Sequence, residues 1–145
     1  MKKRARDIMT ANPQCVTPDD TVTRVAEIMR DSDVGSVPVV EDQGTMRLTG
    51  LVTDRDIALR VVAEGRNSAD LRTRDVMSSG ITTVNPDDDV EHVLDLMKSE
   101  QIRRIPVVEG DRIVGIIAQA DVATDLGKDR KTGEVVEKIS EPTRR

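Results

Sequence analysis

The sequence predicts an α/β (α+β) fold of two β-α-β-β-α repeats related by pseudo-twofold symmetry, with small sheets packed through helices. Three observations predict it. First, the 145-residue chain writes one unit twice: Arg6–Glu41 aligns with Arg74–Glu109 at an offset of 68, with 14 of 36 positions identical. Second, each copy runs in the same order from a helical apolar spacing to two short β-branched runs and a second helical stretch. Third, there is no Phe, Tyr or Trp, so Val, Ile, Leu, Met and Ala must form the core. After the first alignment the offset drops to 65, pairing Gly50 with Gly115 and Asp56 with Asp121. The slip falls in a polar turn, Glu41–Thr45 against Glu109–Asp111, where length changes cost little. Clefts between duplicated units are the natural place for a ligand.

Each copy opens with a short charged helix, about Arg4–Met9 and Arg74–Met77. A brief extended piece follows around Val16 and Val84. Thr17-Pro18-Asp19-Asp20-Thr21 and Asn85-Pro86-Asp87-Asp88-Asp89 then supply turn and N-cap chemistry. Val22, Val25, Ala26 and Met29, like Val90, Val93, Leu94 and Met97, fall at i, i+3, i+4 and i+7 and predict an amphipathic helix with core methionines. Ser36–Glu41 and Arg104–Glu109 read as strands; Pro38 and Pro106 inside them argue for an edge or a strand start. Second strands are expected at about Met46–Val52 and Arg112–Ile117. A second helix opens at Thr53 or Ala118, carrying Ile57, Ala58, Val61 and Val62 in the first copy and Val122, Ala123 and Leu126 in the second. The expected organisation is repeat 1 over 1–65, a linker over 66–72, repeat 2 over 73–127 and a tail over 128–145. In that tail Val135, Val136 and Ile139 suggest a short helix.

Composition excludes several functions. The net charge is −5, so a polyphosphate backbone is repelled on average, and no ring is available to stack a base; nucleic acid is not an expected partner. Apolar runs reach about five residues, too short to span a membrane, and the N-terminus lacks the apolar stretch of a secretory signal. The single Cys15 cannot form an internal disulfide, which fits a reducing cytoplasm; it reads as a small buried hydrophobe. The lone His92 reads as an exposed residue of a helix, with no second His or Cys cluster to support a metal site. No nucleophile–base constellation appears, so no catalytic residue and no enzyme activity is expected.

The motifs together resemble the cystathionine-β-synthase (CBS) domain, and the tandem is similar to a CBS pair, or Bateman module. Asp7-Ile8-Met9 with Asp75-Val76-Met77 carries the resemblance, as do Val16-Thr17-Pro18 with Val84-Asn85-Pro86 and Val37-Pro38-Val39-Val40 with Ile105-Pro106-Val107-Val108. Gly50-Leu51-Val52-Thr53-Asp54-Arg55-Asp56-Ile57 and Gly115-Ile116-Ile117-Ala118-Gln119-Ala120-Asp121-Val122 complete it. The match covers roughly residues 4 to 126, which looks like a stand-alone CBS-pair protein. The resemblance implies a regulatory or sensor module that binds AMP, ADP, ATP or S-adenosylmethionine in clefts between the repeats. It further implies a homodimer of CBS pairs, with a protein partner the sequence does not identify. An adenosine compound would be a regulatory ligand, and no cofactor is expected. A structural dimerisation module with empty clefts is the alternative.

Gly50–Asp56 carries the candidate chemistry. A strand running into a helix places free N–H groups and a partial positive charge where a phosphate fits. Thr53 can donate a hydroxyl, Arg55 can pair with phosphate charge, and Asp56, near Asp54, can accept two hydrogen bonds from a ribose diol. Thr-x-x-Asp is equally a capping box. In the second copy Ala118 replaces the threonine while Asp121 remains. The acid's survival without its cap partner favours the ribose role, and the missing hydroxyl weakens phosphate binding at that site. By resemblance the Asp56 site adds Thr82, Thr83, Val84 and Ile102, and the Asp121 site adds Gln14, Cys15, Val16 and Val34. Arg104 stands where a phosphate-binding arginine can occur, or pairs with surface acids.

Overall fold

The computed structural model describes residues 3–126; the expected short helix in the tail lies outside them. The described chain divides into two compact units, and they are not the two sequence repeats. One contains residues 3–12, 82–110 and 114–126, the other 13–81 and 111–113. The expected domain boundaries at 65 and 73 therefore do not delimit these units. The opening segment of each copy packs with the body of the other.

In the first unit, α1 (Ala5–Ile8) leads into β1 (Thr10–Ala11), which pairs antiparallel with β5 (Arg112–Ala118) through Thr10 and Ile116. The sheet order is β1-β5-β4, with β4 at Arg104–Glu109. Helix α4 (Val90–Glu100) buries Val90, Val93, Leu94 and Met97, the expected stripe, against Ile105, Val107, Ile117 and Val122. Helix α5 (Gln119–Leu126) follows β5 without a break.

In the second unit, α2 (Val22–Ser32) starts at Thr21, whose side chain accepts the Arg24 amide at 3.2 Å. It buries Val22, Val25 and Ile28; Met29 packs against the same cluster. Strands β2 (Ser36–Val40) and β3 (Leu48–Thr53) form an antiparallel pair. Ser78 bridges Leu51 as Thr10 bridges Ile116, so Met77-Ser78 fills in this unit the place that β1 fills in the other. Pro38 lies within β2, yet nothing is lost. Among the described residues the far edge of β2 meets only Val16, which donates to the Pro38 carbonyl at 3.0 Å and accepts the Val40 amide at 2.8 Å. The extended pieces expected at Val16 and Val84 are thus single parallel bridges, to Val39 and Val107. Arg47 and Arg112, equivalents at the offset of 65, are themselves bridge partners.

Two local expectations need correction. The opening helix of the second copy is a 3₁₀ turn over Thr73–Asp75. Helix α3 (Asp54–Ile57) passes at once into a π turn over Ala58–Val62, closed by the Ala63 amide on the Ala58 carbonyl at 2.9 Å. The wider turn changes the angular step. Val61 is buried and Ile57 partly so, but Ala58 faces out and Val62 is 71% exposed.

Candidate functional site

Aspartates organise the loop ends of both units. Six of them fold back so that Oδ2 accepts a backbone amide three residues earlier: Arg4 to Asp7, Thr17 to Asp20, Thr53 to Asp56, Arg72 to Asp75, Asn85 to Asp88 and Ala118 to Asp121, all at 2.8–2.9 Å. They form three pairs at the repeat offsets. Each satisfies a donor that a turn or helix start leaves open.

At α3 this use of donors is complete. The Thr53 amide goes to Asp56, the Asp54 amide to the Gly35 carbonyl at 2.9 Å, the Arg55 amide to Asp54 Oδ1 at 2.8 Å and the Asp56 amide to Thr53 Oγ1 at 3.1 Å. The expectation of free amides for a phosphate is therefore wrong for this helix. The capping box closes, and the neighbouring strand start supplies a carbonyl as well. A ligand there must be met by side chains. Asp56 is half-buried, and its Oδ1 has no partner among the described residues. Thr53 Oγ1 accepts a bond and keeps its own proton to donate. The exposed Arg55 lies beside the two carboxylates of Asp54 and Asp56.

At α5 the reasoning from Ala118 is also corrected. Asp121 accepts the Ala118 amide at 2.9 Å with no threonine present. The reciprocal cap never needed the side chain at 118, so the acid's survival there does not by itself indicate a sugar. The Gln119 amide reaches the Arg103 carbonyl at 2.7 Å, as Asp54 reaches Gly35, which sets the start of β4 beside the end of β5 and Arg104 near Ala118.

The other expected residues divide between the units. Exposed Gln14, buried Cys15 and Val16, and Val34 at 41% exposure lie in the unit of Asp56. Half-buried Thr82, Thr83, Ile102 and Arg104, and buried Val84, lie in the unit of Asp121. Each expected grouping thus takes residues from both units. The Cys15 thiol donates to the Pro13 carbonyl at 3.3 Å, and burial pushes its pKa up to about 11, which removes it as a nucleophile at neutral pH. His92 is exposed on α4. No group of three His, Cys, Asp or Glu that could hold a metal occurs among the described residues, and no helix among them is long and apolar enough to cross a membrane. Ser36, at the start of β2, is the cross-strand partner of Thr53. It follows Gly35, whose carbonyl accepts the Asp54 amide at 2.9 Å.

A repeated strand–strand–helix unit closed by a strand-end capping aspartate defines a tandem of small α/β domains. The CBS domain model matches residues 5–63 and 74–128, and the chain belongs to that family. It is 38% identical over 135 residues to the CBS domain-containing protein YhcV of Bacillus subtilis, covering 93% of this chain and 94% of that protein. Hypoxic response protein 1 of Mycobacterium tuberculosis is 36% identical over 122 residues, 84% of each chain. A crystal structure of Hypoxic Response Protein I with two coordinated zinc ions matches at 35% identity and a TM-score of 0.75, covering 84% of this chain and 98% of that one. The CBS domain pair of protein MJ0100, in complex with 5′-methylthioadenosine and S-adenosyl-L-methionine, shares the fold at a TM-score of 0.80 and 24% identity, covering 90% of this chain and all of that one.

Proposed function

We propose that this chain is a non-enzymatic regulatory module whose Asp56 grips the ribose diol of an adenosine-type ligand. The observation that carries the reading is the state of that carboxylate. Oδ2 is tied to the Thr53 amide at 2.9 Å, which fixes its orientation, while Oδ1 has no partner among the described residues. A pinned acid with a spare oxygen can accept from a vicinal diol with little ordering cost. Thr53 adds a hydroxyl donor and Arg55 a cation for a phosphate. The adenine would gain mainly aliphatic burial, since the chain has no ring to stack it. The adenosine compounds in the MJ0100 structure belong to that protein; the ligand class here is our inference from the Asp56 end of α3 and from the family. Binding would bias the packing of the module, and a protein partner would read that change. A homodimer is part of the proposal.

The test is a melting series with AMP, ADP, ATP and S-adenosylmethionine at millimolar level, on the full chain and on Asp56→Asn. A stabilising shift for at least one ligand, lost in Asp56→Asn, is the expected result. Flat melts throughout, with a tight dimer by sedimentation, would instead favour a structural dimerisation module.

A further inference from the structure

Met9 and Met77 are equivalents at the offset of 68, and each thioether covers a strand glycine of its own unit. A Cβ on Gly50 would stand 3.0 Å from Met77 Sδ and 3.3 Å from its Cγ; one on Gly115 would stand 2.8 Å from Met9 Cγ. Both methionines are half-buried and pack against the core cluster of their unit. Each stands where an opening segment joins a sheet. Beside Met77, Ser78 and Leu51 exchange amide and carbonyl at 2.9 and 3.0 Å; beyond Met9, Thr10 pairs with Ile116 and the Asn12 amide reaches the Val114 carbonyl at 3.1 Å.

A thioether suits such a place, being flexible, apolar and able to fill the gap over a bare backbone. A sulfoxide does not, being polar, chiral and one oxygen larger. The Leu51, Ser78 and Asn12 amides nearby are already engaged, so the new oxygen either stays in without a donor or turns the side chain out to water. Both outcomes cost the opening segment its apolar seal on the sheet. The other described methionines differ. Met97 is 2% exposed. Met29 lies within α2, which Val22, Val25 and Ile28 also anchor. Met46 lies in the turn between β2 and β3 and belongs to neither core cluster.

We infer that Met9 and Met77 form a paired oxidation site, at which a peroxide converts the thioethers to sulfoxides and loosens the two opening segments. A sulfur lone pair attacks one peroxide oxygen and the O–O bond breaks. The departing hydroxide takes the proton of the transferred oxygen and leaves as water, so sulfur is oxidised and the peroxide reduced by the same electron pair. No adenosine ligand takes part, so the inference stands apart from the proposed function.

The test treats the full chain with hydrogen peroxide at neutral pH, maps each methionine by mass spectrometry, and follows melts and amide hydrogen exchange. Met9 and Met77 should gain an oxygen in the folded chain, and Met97 only in denaturant. The melting temperature should fall by several degrees, and exchange at the Asn12 and Ser78 amides should quicken about 10-fold, as an ill-satisfied polar group at the seal implies. The double variant Met9→Leu/Met77→Leu, close in volume and inert to peroxide, should lose both effects, whereas Met29→Leu/Met46→Leu should keep them. Methionine sulfoxide reductases with a thiol should restore the oxidised unaltered chain, a readout that needs no variant. The inference is overturned if either methionine is as protected as Met97 in the folded chain, or if the melting temperature holds when both are oxidised. A fall that persists in Met9→Leu/Met77→Leu, or that reduction of the sulfoxides leaves in place, overturns it equally.

Discussion

Asp121 accepts the amide of Ala118 at 2.9 Å, the same bond at the same length that Asp56 makes to Thr53. One half of the capping box survives where the other half is gone. The acid folds back on the backbone, so it is indifferent to the side chain three residues earlier. What differs is the reverse bond: the Asp56 amide has Thr53 Oγ1 at 3.1 Å, and alanine offers the Asp121 amide no such acceptor.

That difference sets a pair of opposite stability effects. Thr53→Ala removes a cap and should cost about 1 kcal/mol, while Ala118→Thr adds one and should gain about 0.5–1 kcal/mol. Urea midpoints at constant m-value measure both. A loss of stability in Ala118→Thr would refute the account of α5.

Gly50 and Gly115 are needed for close approach. A Cβ on Gly50 would stand 2.9 Å from the Ser78 carbonyl oxygen, which is fixed by the Leu51 amide at 3.0 Å. A Cβ on Gly115 would collide with the Met9 side chain, including Cγ at 2.8 Å. Both alanine variants should lose about 1–3 kcal/mol. Met9→Ala should partly rescue Gly115→Ala, because a side chain is the obstacle. Met77→Ala should do little for Gly50→Ala, where a backbone oxygen remains. Thermal melts of the four combinations decide it.

Thr73→Val should cost about 1 kcal/mol, since it removes the bond from the fully buried Thr73 hydroxyl to the Asp20 carbonyl at 2.9 Å while that carbonyl keeps the Thr73 amide at 2.8 Å. Urea midpoints measure it, and an unchanged midpoint in Thr73→Val would contradict that role.

Cys15 makes a prediction in pH. Burial raises its thiol from 9.0 to about 11. The unfolded thiol ionises first as pH rises, so the unfolded state gains and stability falls between about pH 9 and pH 11. The full chain should lose more stability than Cys15→Ala across that window. Alkylation of the native thiol at pH 8 should be slow, and fast once denaturant is added.

Much of the fold was legible because local spacing dictates it. The stripe Val90, Val93, Leu94, Met97 became the buried face of α4, and β4 runs over the residues its β-branched pattern marked. The exposure of Val62 was not legible, because a π turn is a local choice of hydrogen bond that leaves no trace in apolar spacing. The free amides expected at α3 were misread for another reason. Their acceptors include the Gly35 carbonyl, a backbone atom brought there by strand pairing.

The amino-acid order alone determined the duplication, the aliphatic core and the acids that close each loop. Tertiary structure decided which pieces join. Arg6-Asp7 and Arg74-Asp75 are the same residues in the two copies, so their side chains carry no information on which body they cover. Backbone pairing of Thr10-Ala11 with β5, and of Ser78 with Leu51, settles that choice, because main-chain hydrogen bonds are made by position in space and every residue carries the same groups to make them.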